Sequence, residues 1–440
     1  MVNELPVIVV GAGPQGLAAA AHLVEHDVPV LVLEAGRSAA SAVAEWGHVR
    51  LFSEWPELID AAAARLLAAT GWTAPTTGYP TGRQWIDAYL APLAEALGDR
   101  VRVGARVTGI SRRGRDRLVD SGRAEQPFTV HVESADGTEY RLDARAVIDA
   151  SGTWATPNPA GADGLPALGE RDQPELLGYR IPDFHHRADF EGTHTVVVGS
   201  GHSAVTAVIA LARIARRNPE TTITWVLRRG SIGNTFGGGD ADELPARGAL
   251  GITAKELVDG GLINLVTGFR IEQVLPDGDR AVVIAEDGRS LPAADRVVVL
   301  TGFRPDLSFL SELRIELDPT LQAPARIAAE VDPNIHSCGS VAATSALDLA
   351  QPESDFYIVG AKSYGRAPTF LALTGYEQVR SVAAALAGDH EAARRKELAL
   401  PETGVCGGAG LFDASGASLG GSCCAIPEQV LQVGRAPAQV

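Results

Sequence analysis

The chain has 440 residues, of which 45% are hydrophobic and 21% charged, and a formal net charge of −16. That length supports two or three domains with separate cores, and the composition is that of a soluble globular protein. The acidic balance, without a long basic run, excludes nucleic acid and an anionic membrane surface as expected partners, because phosphate binding needs clustered Lys and Arg. No stretch of about 18 apolar residues suggests a membrane span. The opening MVNELPVIVV has no basic n-region, so no signal peptide is expected. Four cysteines without framework spacing fit a reducing cytoplasm.

Residues 6–10 are apolar and β-branched, as a buried parallel strand requires. Gly11, Gly13 and Gly16 then follow in the G-x-G-x-x-G spacing, and an Ala-rich helix former runs to about Val24. The next strand, VPVLVLE, ends at Glu34. Gly11 makes the tight turn, Gly13 lets the backbone approach a pyrophosphate, and Gly16 lets the helix pack close to the strand. The helix N-terminus faces the phosphates. Glu34 is placed to accept hydrogen bonds from a ribose diol. Strand, helix and acid at the right distances turn a weak motif into an expected dinucleotide site.

The stretch THTVVVGSGHSAVTAVIALARIA repeats the arrangement, with Gly199 and Gly201, Ser203 in the turn, and Ala204 in place of the third glycine. The strand after it, TTITWVLRRG, puts Arg228 where Glu34 stood, with Arg229 beside it. An acid there repels a 2′-phosphate, whereas an arginine pairs with it bidentately. The second site is expected to prefer NADPH over NADH. Solvated arginines at a strand end are the competing reading. FAD in the first site and NADPH in the second define a flavoprotein oxidoreductase.

With both motifs in view, the chain resembles the two-dinucleotide-domain flavoproteins, above all the flavin-containing monooxygenases and their Baeyer–Villiger relatives. VIDASGTWATPNP, with Gly152, resembles the family's first crossover and Pro-rich hinge. RVVVLTGFRPDLSFL, with Gly302, resembles its second crossover. GYPTGRQWIDAYLAPLAEAL resembles its aromatic-Pro pair and following helix. DFYIVGAKSYGRAPTFLALTGYEQVRSVAAAL resembles its last strand and helix, which implies Gly360 near the flavin ribityl chain. The F-x-G-x-x-x-H fingerprint is degenerate, because Gly178 is present but His185 and His186 lie too far along. The disulfide-reductase branch implies a redox cysteine pair near the flavin, and no C-x-x-C or C-x-x-x-x-C occurs.

The resemblance implies an α/β fold with two Rossmann-like domains of the three-layer ββα type. Residues 110–144, alternating across FTVHVES and EYRLDA around an ADGT turn, are the expected β-meander insert. The FAD domain is expected at 1–153 and 297–395, the NADPH domain at 190–296, and a flexible cysteine-containing tail at 396–440.

In such an enzyme the flavin carries the chemistry, and the protein supplies binding, orientation and electrostatics. O2 and a small molecule are then the expected reactants. WGHVRLFSEWPEL offers Trp46, Phe52 and Trp55 as an apolar wall, and Arg50 to hold an oxyanion or a phosphate. Plain core packing and a surface charge are the alternative. The tail carries Cys406 and the adjacent pair Cys423 and Cys424. Its Ser-Cys-Cys-Ala stretch resembles the C-terminal thiol pair of mercuric reductases. Neighbouring Cα atoms are about 3.8 Å apart, whereas disulfides favour roughly 4.4–6.8 Å. The oxidised pair would be strained, and the reduced pair is a soft ligand for Hg(II) or As(III), with Cys406 as a third sulfur.

Three readings follow. The first is an NADPH-dependent flavin monooxygenase acting on a small molecule or a thiol-bound metalloid. The second is a reductase of a soft metal, a metalloid or a disulfide through Cys423 and Cys424. The third is a flavin redox sensor or metallochaperone. A homodimer is left open.

Overall fold

A computed structural model describes residues 4–230, 233–236, 245–333, 343–368 and 370–398. Strand Val7–Val10 is the middle of a five-stranded parallel sheet. Val30–Leu33 and then Val101–Arg102 lie on one side, with Ala146–Asp149 and then Phe356–Ile358 on the other. All four residues of the central strand are buried, which accounts for its unbroken apolar run. Val7 and Val9 face a helical core, while Ile8 and Val10 face the opposite side. The helical core is built from Pro14–Glu25, Ala61–Ala68 and Ala372–Ala387.

The opposite face is closed by an antiparallel meander of Ala105–Arg112, Phe128–Ser134 and Glu139–Ala144. It supplies the expected insert and starts five residues earlier than residue 110, because Ala105–Val107 already pairs with Val132–Ser134. A buried charge cluster ties it to the rest of this unit. Glu353 takes Arg112 at 2.7 Å and Arg123 at 2.6 Å.

The second parallel sheet runs Asn264–Val266, Thr222–Val226, His194–Val198, Arg296–Val299, Leu177–Gly178. Helices His202–Ala215 and Pro245–Asp259 cover one face. The hairpin Ile271–Asp277 and Arg280–Ala285 covers the other. The layering of the first unit is thus repeated, with a hairpin in place of the meander. Leu177–Gly178 joins this sheet although it precedes residue 190. Among the described residues no helix is long and apolar enough to cross a membrane.

Candidate functional site

The first glycine turn leaves strand Val7–Val10 and enters helix Pro14–Glu25. Gly11 has φ +97°, and a Cβ there would stand 2.9 Å from the Ala150 carbonyl oxygen. A Cβ on Gly16 would stand 1.9 Å from the Gly11 carbonyl oxygen. These two glycines are therefore required by packing. Gly13 differs: nothing lies within 4 Å of where its Cβ would be. The space beside Gly13, in front of the helix N-terminus, is the cradle a diphosphate requires. Glu34 is buried, and its carboxylate accepts from the backbone N–H of Ala12 at 2.8 Å, of Gly36 at 2.7 Å, and from Ser41 Oγ at 2.7 Å. These bonds hold the carboxylate beside the turn, where the adenosine ribose of FAD would lie.

The second turn has the same parts. Gly199 has φ +128°, and nothing lies within 4 Å of a Cβ on Gly201. Ser203 and the buried Ala204 begin helix His202–Ala215. Arg228 donates through Nη1 to the Ala162 carbonyl at 2.9 Å, and Arg229 through Nη2 to Ser200 Oγ at 3.1 Å. Burial, and after it the Arg270 charge, lowers the pKa of Arg228. Burial, and after it the Arg228 charge, lowers that of Arg229. Cations crowded in this way at the strand end suit a dianionic phosphate. The residues of both turns fit their dinucleotides.

The two crossovers are laced together. Asn158 N donates to the Gly302 carbonyl at 2.9 Å, and Asn158 Nδ2 to the Thr301 carbonyl at 3.0 Å. Gly152 and Gly302 have φ +69° and +93°. On this junction Trp154 and Phe303 pack with ring centroids 4.8 Å apart. Arg180 lies over the Trp154 ring at 4.8 Å, and Glu45 accepts from Trp154 Nε1 at 2.7 Å. Sequence reading missed this aromatic pair, whose only signal was an aromatic in each crossover.

The expected aromatic wall is dispersed. Trp55 is in the first core at 8% exposure, because its short 3-10 turn packs beneath helix Ala372–Ala387. Trp46 packs against Trp85, 6.4 Å between centroids. Phe52 alone reaches the second turn, 5.4 Å from His202. Arg50 is exposed and its guanidinium donates to the Tyr79 carbonyl. Gly360, with φ +70°, sits against Gln15 of the first helix, and its N–H donates to Gln378 at 2.8 Å. Cys406, Cys423 and Cys424 lie outside the described residues, as does Cys338. Among the described residues no His, Cys, Asp and Glu group could hold a metal ion.

Comparison with known proteins fits this arrangement. A family model described as pyridine nucleotide-disulphide oxidoreductase matches residues 8–325. The chain belongs to that family. FAD and NAD(P)H are its cofactors. The ferredoxin–NADP reductase of Ignicoccus hospitalis is 24% identical over 316 residues, 70% of this chain and 81% of the relative. Indole-3-pyruvate monooxygenase YUCCA1 of Oryza sativa subsp. japonica is 30% identical over 207 residues, which are 47% of this chain and 45% of that protein. Among solved structures, the bacillithiol disulfide reductase Bdr of Bacillus cereus superposes at TM-score 0.66 with 19% identity, over 87% of this chain and 99% of that one. A flavin monooxygenase from Stenotrophomonas maltophilia superposes at TM-score 0.53 with 21% identity, over 87% and 98%. At such identities the structures establish a shared fold.

Proposed function

We propose that this family member is an NADPH-dependent flavin monooxygenase acting on a small molecule. The reading rests on the paired glycine turns, with Glu34 at one strand end and Arg228 and Arg229 at the equivalent one, together with a sequence that holds no C-x-x-C or C-x-x-x-x-C to pass electrons to a disulfide. The contrast between the strand ends matches a diol-binding flavin site with a 2′-phosphate-binding donor site. When bound, FAD supplies the hydride acceptor and the reaction with O2. The chain's own residues bind and orient. Gly13 and Gly201 admit the two diphosphates, Glu34 orients one ribose, and Arg228 and Arg229 select the other. Trp154 and Phe303, packed together on the two crossovers, offer a partly exposed aromatic surface beside the flavin site.

In balance, NADPH, a proton, O2 and substrate yield NADP+, water and the oxygenated product. Oxygen uptake should match NADPH oxidised in the presence of substrate. Undiminished turnover without oxygen would exclude an oxygenase.

A second reading has its own support. The family description and the Bdr likeness point to thiol chemistry, and Cys423 and Cys424 are the adjacent thiols available. Here NADPH and a proton reduce a disulfide, or a thiophilic metal or metalloid such as arsenic bound to thiols. Cys423→Ser or Cys424→Ser would then abolish turnover with flavin reduction by NADPH unchanged. Full turnover in both variants discards this reading.

A further inference from the structure

The polar centre of the first unit is a pair that neither turn motif announces. Asp149 ends the strand before the first crossover, and Lys362 follows Gly360 after the last strand of the sheet. Their side chains are both 0% exposed, and Lys362 Nζ lies 2.7 Å from Asp149 Oδ2. The remaining donors of Lys362 are also occupied. Nζ donates to Ser151 Oγ at 3.1 Å and stands 4.3 Å from the centroid of the Phe309 ring. Asp149 Oδ1 accepts from Ser151 N at 3.1 Å and Ser151 Oγ at 2.6 Å. Both side chains are thus enclosed entirely by protein partners.

A buried ion pair is a poor way to stabilise a fold, since apolar residues of like volume usually do as well or better. The position of this one suggests another use. Ser151, bonded to both charges, is exposed, and its Cα lies 3.0 Å from where a Cβ on Gly11 would stand. The pair therefore sits directly behind the first glycine turn. It bolts the Ser151–Gly152 crossover to the Gly360 turn, two segments that border the flavin cradle.

We propose that Asp149 and Lys362 are positioning residues of the flavin site, fixing the crossover turn and setting the electrostatic field at the flavin through the exposed Ser151. The inference rests on FAD occupying the first turn and is independent of whether O2 or a disulfide is the final acceptor. Charge sign gives it a distinctive signature. Lys362→Gln leaves an excess negative charge, which disfavours adding electrons to the flavin. Asp149→Asn leaves an excess positive charge, which favours it.

The test is the midpoint potential of FAD in the loaded protein, with FAD Kd alongside. Lys362→Gln should shift the potential down, Asp149→Asn up, and Lys362→Arg should keep the wild-type value. A pair that merely braces the fold moves both single variants in one direction by loosening the flavin. That result overturns the proposal, as does an unchanged potential in loaded Asp149→Asn. Should Lys362→Gln fail to fold, Asp149→Asn and the double variant Asp149→Asn/Lys362→Gln decide. Return of the double variant toward the wild-type potential supports the proposal, and a value matching Asp149→Asn overturns it.

Discussion

The two glycine turns have one backbone plan and opposite electrostatics. In the first, Glu34 is buried and wrapped by N–H and O–H donors, so a negative charge is held firmly at the strand end. In the second, Arg228 and Arg229 bring positive charges to the same place, Arg228 bonded to a carbonyl and Arg229 to a hydroxyl. The turns also differ in closeness. Gly16 packs where no Cβ fits, whereas Ala204 carries one at the corresponding position and is fully buried. In the proposed function, the shared turn sets where a diphosphate would lie, while the strand end would decide which ribose accompanies it.

The largest break in this comparison comes from Gly16→Ala. The added methyl meets the backbone of Gly11 at 1.9 Å, and a backbone carbonyl cannot rotate away as a side chain would. Loss of nearly all FAD-loaded protein is expected, read from the flavin absorbance of the purified variant. Recovery of fully loaded protein would show that the helix can shift outward, removing the packing argument for this glycine.

The next largest effect separates the units by pH. The first unit is tied to its meander by Glu353 between Arg112 and Arg123, whereas the second is closed by the apolar hairpin around Phe269, Ile271 and Val283. Burial opposes the ionisation of Glu353, but its hydrogen bonds from Arg112 and Arg123 outweigh this and hold its pKa below the ordinary value. A depressed carboxyl pKa contributes stability above its unfolded value and loses it as pH falls through the folded one. FAD release should therefore begin below about pH 4, ahead of global unfolding. Glu353→Gln should destabilise the protein by about 3–5 kcal/mol at neutral pH, because it leaves two buried arginines without a counter-charge. Denaturant unfolding with a flavin fluorescence readout checks both statements. Coincident loss of flavin and of secondary structure in acid would mean the units are not separable in this way.

Much of this arrangement was legible in the chain itself. Gly11, Gly13, Gly16 and Glu34 act within one strand–helix–strand unit, and local spacing carries their meaning. The same holds for Gly199, Gly201, Arg228 and Arg229. The meander was visible because alternation with period two needs only near neighbours. What escaped lies far apart in sequence. Lys362 meets Asp149 across 213 positions, and Arg112 meets Glu353 across 241. No local pattern encodes such pairs. Trp55 escaped for a related reason: an aromatic run shows which residues are apolar but not whether they face a core or a crevice, and helix Ala372–Ala387 decided it. The hairpin at Ile271–Ala285 had a signal in Asp277-Gly278 between alternating runs.

Arg228→Ala and Arg229→Ala sharpen the electrostatic half of the comparison. Each should raise KM for NADPH about 10- to 100-fold, the worth of one charge-assisted hydrogen bond, and leave KM for NADH nearly unchanged. Equal loss with both nucleotides would mean that the arginines brace the Ala162 and Ser200 contacts and do not read the 2′-phosphate.

The smallest effect tests the packing half. Ala204→Gly removes a buried methyl group and a good helix former. Each change costs about 1 kcal/mol, so a loss of about 1–2 kcal/mol without loss of NADPH binding is expected. The second turn tolerates a Cβ here for a testable reason. The Gly199 carbonyl, counterpart of the Gly11 oxygen that bars a side chain on Gly16, accepts from Trp225 Nε1 at 2.7 Å. If that bond draws the carbonyl toward the indole, it makes room for the Ala204 methyl. Trp225→Phe should therefore lower stability in the Ala204 background more than in the Ala204→Gly background, as thermal unfolding of the four proteins would show. Equal losses would place the tolerance in the helix angle. A larger loss with Ala204 present would make the third position of the motif a matter of which neighbour holds the first carbonyl, and not of which nucleotide is bound.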